Sequence, residues 1–408
     1  MQESEGSPPL LAAALASFDI RYGVRIVHEW YPNHGKLPIA LIELLKLTLS
    51  NVHRQEDNAF SQFLTSTTDI PSLNLFIVSS FFIIPQKKEK IYYNVSLILN
   101  RNQINTTKFI SNIEDTCKEI AIFAKTTLNS NLPINKLNIL IQHANEVFEV
   151  LSKAGIKTLP DFSIHPTETP FLSLILSAHF HSQMNTIIES NNPDEAYKIA
   201  VFLAHFTLPQ ILETASLEYL PAPIQGLSIQ TISRQVATPE EILLTFKTPT
   251  TLIRLPEMQV IFSPYQDLQE RSYGDYLVAL PLENPEKEQR IAHVKAQYRE
   301  LLNNAIRYPW ALATMSIMMQ MPPESLNLIC QLQLNNVVTL ALSLIAVVQE
   351  KLEKGSLPFL SQDDVNDSIR ILKLTGKDDL NMVASIAQIF DSSIQRKLFS
   401  YRKDSQFF

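Results

Sequence analysis

The sequence predicts an α+β chain: a sheet-forming unit with flanking helices, then a second α/β unit, then an almost all-helical end. Three observations carry this. Two apolar runs of strand length, Pro9–Phe18 and Val24–Pro32, flank the polar, glycine-bearing break Asp19–Gly23, which is the pattern of a β-hairpin. Helix starts of the form Asn192-Pro193-Asp194-Glu195 and Thr238-Pro239-Glu240-Glu241 alternate with short strand-like runs in the middle. From Asn284 onward the apolar period is helical nearly throughout.

Within the hairpin the first run is continuously apolar and should lie buried in mid-sheet, whereas the second alternates and should have one wet face. Leu37–His53 places Leu41, Leu44, Leu45 and Leu49 on one side, an amphipathic helix. Three strand-like runs follow, Ala59–Thr67, Leu73–Ile84 and Ile91–Leu99. Pro71-Ser72 separates the first two, and the charged tip Pro85–Lys90 reads as a solvated turn between the others. Helices over Thr106–Leu128 and Ile134–Ala154 close the unit, the first with Phe109, Ile113, Cys117, Ile120 and Phe123 in register, the second stopped by Gly155.

Ile156–Pro170 reads as a linker with three prolines and no apolar period. The second unit is expected to contain a helix over Leu172–His181, a strand over Asn185–Glu189, and a helix from Pro193 to about Phe206. A strand pair Thr251–Leu255 and Met258–Phe262 and a further strand Asp275–Leu280 complete it. The helical end starts at Asn284-Pro285-Glu286, with Ile291, Val294, Tyr298, Leu301, Leu302 and Ile306 in register. Ser325–Leu352 follows, apolar almost all round in its middle and so expected to be buried on most sides. Ser361–Asp364 and Asp378-Asp379 cap two shorter helices, the second with Leu380, Val383, Ile386 and Phe390.

At 408 residues the chain exceeds one ordinary core, so two or three domains are expected. A net charge of −7 offers no footprint for nucleic acid. Cys117 and Cys330, the two cysteines, form neither a disulfide framework nor a zinc motif. The opening Met1–Gly6 is polar and acidic, unlike a targeting leader, so the sequons at Asn94, Asn105 and Asn366 are expected to stay unused. The longest apolar runs, Leu73–Pro85 and Val337–Val348, fall short of the roughly 18–20 residues of a spanning helix. A cytoplasmic protein with indirect or peripheral membrane contact is the expectation.

Chemistry is sparse. The eight glycines build neither G-x-x-x-x-G-K-[ST] nor G-x-G-x-x-G, and no G-x-S-x-G or H-E-x-x-H occurs. Catalytic, cofactor and metal residues are therefore expected to be none. His179 and His181, two apart on a helix, point to different faces and suit no common metal geometry. His205, read as two turns before a helix end, is assigned a structural role. Asp363, Asp364, Asp378 and Asp379 open helices as caps. Arg101, Arg254 and Arg271 lie where an arginine finger could stand, but a solvated or paired role suits each better. The basic-aromatic run Arg396–Lys403 could meet anionic lipid or a partner groove, with a solubilising role as the plainer reading.

Several segments resemble the longin–DENN family in order along the chain. Ser7–Ala14 with Asp19, Gly23, Val24-Arg25 and Trp30-Tyr31-Pro32 is similar to its opening hairpin. Leu255-Pro256, Gln259-Val260 and Ser263-Pro264-Tyr265 are similar to its central DENN strand, and Leu374-Thr375 with Asp379-Leu380-Asn381 to its distal helices, with Gly355, Pro358 and Phe359 between. The resemblance implies a longin domain over 1–155 (a five-stranded antiparallel sheet with helices on both faces), a linker over 156–170, a DENN α/β part over 171–283 and a DENN helical part over 284–408. It implies a regulator of Rab or Arf GTPases in membrane traffic, autophagy and lysosome homeostasis. That regulator would act as the non-catalytic half of a heterodimer with a second longin–DENN protein, joined to a WD40 propeller adaptor and recruited peripherally to lysosomes. There the partner supplies the catalytic arginine. Direct guanine nucleotide exchange on a Rab is the alternative, since exchange needs a complementary surface rather than a titratable constellation.

Overall fold

The computed structural model describes residues 8–19, 23–32, 37–49, 63–86, 89–130, 133–280, 285–354 and 358–399. The chain divides into two compact units, one of residues up to Ala154 with Leu277–Ile291, the other of Gly155–Tyr276 with the residues from Ala292 on.

The first unit holds β1 (Leu10–Asp19), β2 (Gly23–Trp30), α1 (Leu41–Leu49), β3 (Leu64–Ile70), β4 (Leu75–Gln86), β5 (Glu89–Asn100), α2 (Thr106–Asn129) and α3 (Leu137–Lys153). Its five strands form one wholly antiparallel sheet in the order β2-β1-β5-β4-β3. The continuously apolar β1 lies inside the sheet between β2 and β5, as expected of a run with no polar face. Strand alternation then divides the side chains between two faces. Ala12, Ala14, Ala16, Ile77 and Ile98 meet Leu41, Leu44 and Leu45 of α1. Leu15, Val78, Val95 and Leu97 point the other way and are equally buried, under α2 on β4 and β5 and α3 on β1. The Cys117 thiol of α2 reaches the carbonyls of Val78 and Val95 at 3.5 Å, and burial pushes its pKa up.

Several boundaries differ from the sequence expectation, the first helix for instance starting at Leu41 rather than Leu37. The strand placed at Ala59–Thr67 runs over Leu64–Ile70 and is ended by Pro71, which opens a single 3₁₀ turn; residues 59–62, and 50–53 of the first helix, lie outside the described residues. Pro85 is the penultimate residue of β4 rather than the start of a turn, and it pairs with Lys90.

The second unit departs from expectation at its start. Ile156–Pro170, expected to be a linker, packs along the unit's own core through Ile156, Leu159, Phe162 and Ile164. The Gly155 and Ile156 amides donate to the carbonyls of Ala215 and Leu212, and the Phe162 ring lies 4.6 Å from that of His205. There follow α4 (Thr169–His181), β6 (Thr186–Ser190), α5 (Pro193–Ala204), α6 (Pro209–Leu212), β7 (Tyr219–Leu220), β8 (Ile229–Ser233), α7 (Pro239–Leu243), β9 (Thr251–Arg254), β10 (Gln259–Phe262), α8 (Gln266–Ala279), α9 (Glu286–Leu301) and β11 (Asn303–Asn304). The chain ends in α10 (Pro309–Met318), α11 (Leu326–Lys354), α12 (Gln362–Ile371), α13 (Lys377–Phe390) and α14 (Ile394–Phe399). The sheet order is β11-β10-β9-β6-β8-β7, with β7, β8, β6 and β9 parallel.

The Asp275–Leu280 strand is a correction: its residues up to Ala279 continue α8, whose buried Gln269, Tyr273 and Leu277 recur at four-residue intervals. β7 and β8 have no counterpart in the sequence expectation. One apolar cluster runs from α4 through the parallel strands to α10, α11 and α13, so the α/β and helical parts share a core. Ser325–Leu352 is indeed one helix, but it is not buried all round. Leu326, Cys330, Leu334, Val337, Ala341, Leu344 and Val348 form a single buried seam, while Leu328, Leu332 and Leu342 are exposed. Among the described residues Pro323–Lys354 is also long and apolar enough to cross a membrane by length and composition, contrary to the sequence expectation. Its seam is nevertheless packed into a protein core.

Candidate functional site

Parallel strands place their carboxyl ends together, and in α/β sheets the crevice where strand order reverses is the usual place for a ligand. Here β6 is central, with β8 on one side and β9 on the other, so its carboxyl end is that point. Register brings Glu189 level with Ile232 of β8 and Arg254 of β9. The Glu189 side chain is 0% exposed. One oxygen takes Arg254 Nε at 2.7 Å and Arg234 Nη1 at 2.7 Å, and the other takes the Gln235 amide at 2.5 Å.

Arg234 reaches Glu257 at 2.7 Å with its second nitrogen, and Arg254 Nη2 donates to the Ala237 carbonyl at 2.5 Å. The Tyr219 hydroxyl crosses from β7 to the Ser190 carbonyl at 2.6 Å. Asn192 caps α5 by accepting from the Asp194 amide at 3.1 Å. Two carboxylates and two guanidiniums thus fill the crevice with internal ion pairs. Two apolar side chains stand exposed beside them. Val236, on the loop that Glu189 and Arg254 hold down, is 105% exposed, and Met258, beside Glu257, is 57% exposed with a left-handed φ of 51°. A methionine held in that region is uncommon enough to mark a constrained turn.

The residues singled out in the sequence are scattered and mostly structural. His179 sits between Thr186 and Thr207, with ring nitrogens 2.8 and 3.0 Å from their hydroxyls. His181 Nδ1 lies 2.7 Å from the Tyr308 hydroxyl, its ring over Phe262. Burial pushes both imidazoles down to about 3, so each stays neutral. His205 stands at the C-terminal cap of α5, not two turns inside it. It donates to the Pro160 carbonyl at 2.8 Å, and burial lowers its pKa, so it serves as an anchor rather than as a cation for the helix dipole.

Ser361, not an aspartate, caps α12 by accepting from the Asp364 amide, and the Asp364 carboxylate returns to the Ser361 amide and pairs with Lys351 at 3.2 Å; Asp379 accepts from the Thr375 and Trp310 amides. Arg101 pairs with Asp69 at 3.0 Å, and Arg254 is buried on Glu189, so neither is disposed as a finger. Arg271 is exposed on α8. Of the basic run, Arg396 and Lys397 pair with Asp267 and Asp391, and 400–403 lie outside the described residues. Asn94 is wholly buried in β5, where no glycan could sit in the folded chain. Among the described residues no three metal-ligating side chains gather. The Glu189 cluster and the exposed side chains beside it were not foreseen; no local motif marks residues so far apart in sequence.

Residues 43–269, more than half of the chain and the whole stretch from α1 to the start of α8, match the C9orf72-like protein family. The chain belongs to that family. No curated protein matches it. The solved longin domain of K. lactis Lst4 aligns at 12% identity over 34% of this chain and 93% of its own, with a TM-score of 0.25; at that score the likeness adds nothing to the strand order described above. Family membership, together with an antiparallel five-stranded unit followed by a mixed unit with a helical end, suggests a DENN-like regulator of small GTPases.

Proposed function

We propose that the chain is a non-catalytic longin–DENN subunit that positions a Rab- or Arf-type GTPase for a second longin–DENN protein, with a WD40 propeller adaptor in the assembly. In this reading the longin domain spans 1–155, and the DENN α/β and helical parts, 171–283 and 284–408, carry the docked segment 156–170 with them. The reading places it in the cytoplasm with peripheral recruitment to lysosomes, in membrane traffic and autophagy. GTPase activation is the favoured direction, with the catalytic arginine supplied by the second longin–DENN protein.

The observation that carries the reading is the strand-end cluster, whose charges are engaged with one another beneath exposed apolar side chains. The acids and guanidiniums at the strand ends are spent on one another, while Val236 and Met258 on the adjoining loops and Tyr219 on β7 stand exposed beside them. Exposed apolar side chains on a rigid base are the makings of a protein-binding hot spot. Val236→Asp and Met258→Asp are expected to weaken GTPase binding by about 2 kcal/mol each, roughly thirtyfold, with the melting temperature unchanged. Titration calorimetry against a Rab and Arf panel, with nucleotide hydrolysis and release followed on the co-purified assembly, tests this. Accelerated release by the isolated chain would replace activation with exchange. Unchanged binding by both variants would remove these side chains from the interface.

A further inference from the structure

We propose that α11 is a self-association helix, through which two copies of this chain pair antiparallel about a two-fold axis near residue 337. The observation is a second seam on the helix, separate from the buried one. Leu328, Leu332, Asn335, Thr339, Leu342, Ala346 and Gln349 recur at four- and three-residue intervals and are all exposed, the three leucines at 58, 49 and 49%. That spacing draws one stripe along a helix, about 30 Å long at 1.5 Å per residue.

The stripe carries no charge. From Leu326 to Gln349 not one residue is Asp, Glu, Lys or Arg, and between Tyr308 and Gln349 Glu324 is the one charged side chain. A helix whose outer face meets water normally bears charges there. Here the charges resume at Glu350, Lys351 and Lys354, just past the seam.

The occupant follows from the order of side chains. The intervals from 328 to 346 run four, three, four, three, four, and so read the same in both directions. Laid antiparallel on a second copy, Leu328 meets Ala346, Leu332 meets Leu342 and Asn335 meets Thr339. That sets large against small, leucine against leucine, and polar against polar. The Thr339 hydroxyl donates to the Asn335 carbonyl of its own helix at 2.8 Å, so its oxygen can still accept from the Asn335 amide of the second copy. A two-fold interface requires this self-complementarity. A polar pair in an otherwise apolar seam fixes the register. Antiparallel helices also set their dipoles head to tail.

Lipid is the weaker occupant. An interfacial helix carries basic residues on its polar border, and α11 has none before Lys351, while Asn335, Asn336 and Thr339 occupy the middle of the exposed face. The inference goes beyond GTPase regulation, since the rim of the parallel sheet takes no part in it.

Sedimentation equilibrium of the full chain over about 1–50 µM, a range that captures a micromolar dissociation constant, should give twice the 46.3 kDa of one chain. Leu332→Glu and Leu342→Lys should each weaken the dimer at least a hundredfold by burying an unpaired charge. The double variant carrying both substitutions sets the new carboxylate of each copy against the new ammonium of the other, and should restore it. Far-ultraviolet circular dichroism and an unchanged melting temperature confirm that the variants fold. A wild-type monomer at the highest concentration overturns the proposal, as does dimerisation untouched by the single variants. A double variant that stays monomeric overturns the register. Flotation of a wild-type monomer with anionic vesicles assigns the face to lipid instead.

Discussion

Replacing Glu189 with alanine is expected to destabilise the second unit by about 3–5 kcal/mol. The carboxylate is fully buried and receives both Arg234 and Arg254 at 2.7 Å. The Arg254 side chain is 9% exposed, so water cannot take the carboxylate's place. Removing the acid leaves a desolvated guanidinium and the Gln235 amide without their acceptor, and an uncompensated buried charge costs far more than the intact pair contributes. Denaturant titration gives the difference directly. The exposed pair Lys354–Glu350 supplies the contrast: Lys354→Ala should leave the midpoint where it was, because solvent screens such pairs. A loss below about 1 kcal/mol for Glu189→Ala would mean that water reaches Arg254 once the carboxylate is gone.

Acid should unfold the second unit early. His179 and His181 are held neutral by burial, with pKa values pushed down to about 3 from an unfolded value near 6.5. Above pH 6.5 both states are neutral and stability does not depend on pH through these groups. Below it the unfolded chain takes up protons that the folded chain refuses, so stability present at neutral pH is lost as pH falls from 6.5 toward 3. Each histidine contributes a slope of about 1.4 kcal/mol per pH unit, about 2.7 for the pair. His205, lowered by burial as well, acts in the same direction.

The carboxylates depressed by bonded partners, Glu241 through Lys295 and Asp391 through Lys397, titrate lower and add their loss only beneath about pH 4.5. Unfolding free energies measured between pH 7.5 and 5 therefore isolate the histidines. His181→Phe should lower the slope by about 1.4 kcal/mol per pH unit. A flat profile over that window would contradict the burial of both rings.

Much of the fold was legible because its signals are local. The proline-and-acid start at Asn192 opens α5 as written, and the unbroken apolar run of Leu10–Phe18 marked an inner strand. The failures have physical reasons. β7 and β8 have two and five residues, too few for a period, and β8 is held as a strand by parallel neighbours that sequence cannot show. In α8, Tyr276 and Leu277 look like strand residues until Gln269 and Tyr273, eight and four before Leu277, are counted with them. The candidate site was hidden for another reason. Glu189, Arg234 and Arg254 meet only because three strands end level, and nothing around any one of them announces the others. The outer seam of α11 was masked by its own apolarity, which read as burial until one face proved to be the core and the other not.

The docked segment Gly155–Pro170 bears on how such a chain can be inherited and recombined. A hinge invites exchange of whatever lies on either side, but this segment is already committed to one side. Its Phe162 and Ile164 complete the hydrophobic packing around Phe202 and α4, and its Pro160 carbonyl and Asp161 carboxylate satisfy His205 and Asn327. A crossover at residue 170 would transplant the second unit without its own girdle and strand those aromatic and polar groups. The natural cassette begins at Gly155, whose φ of 123° and close approach to the Glu213 carbonyl admit no side chain without strain.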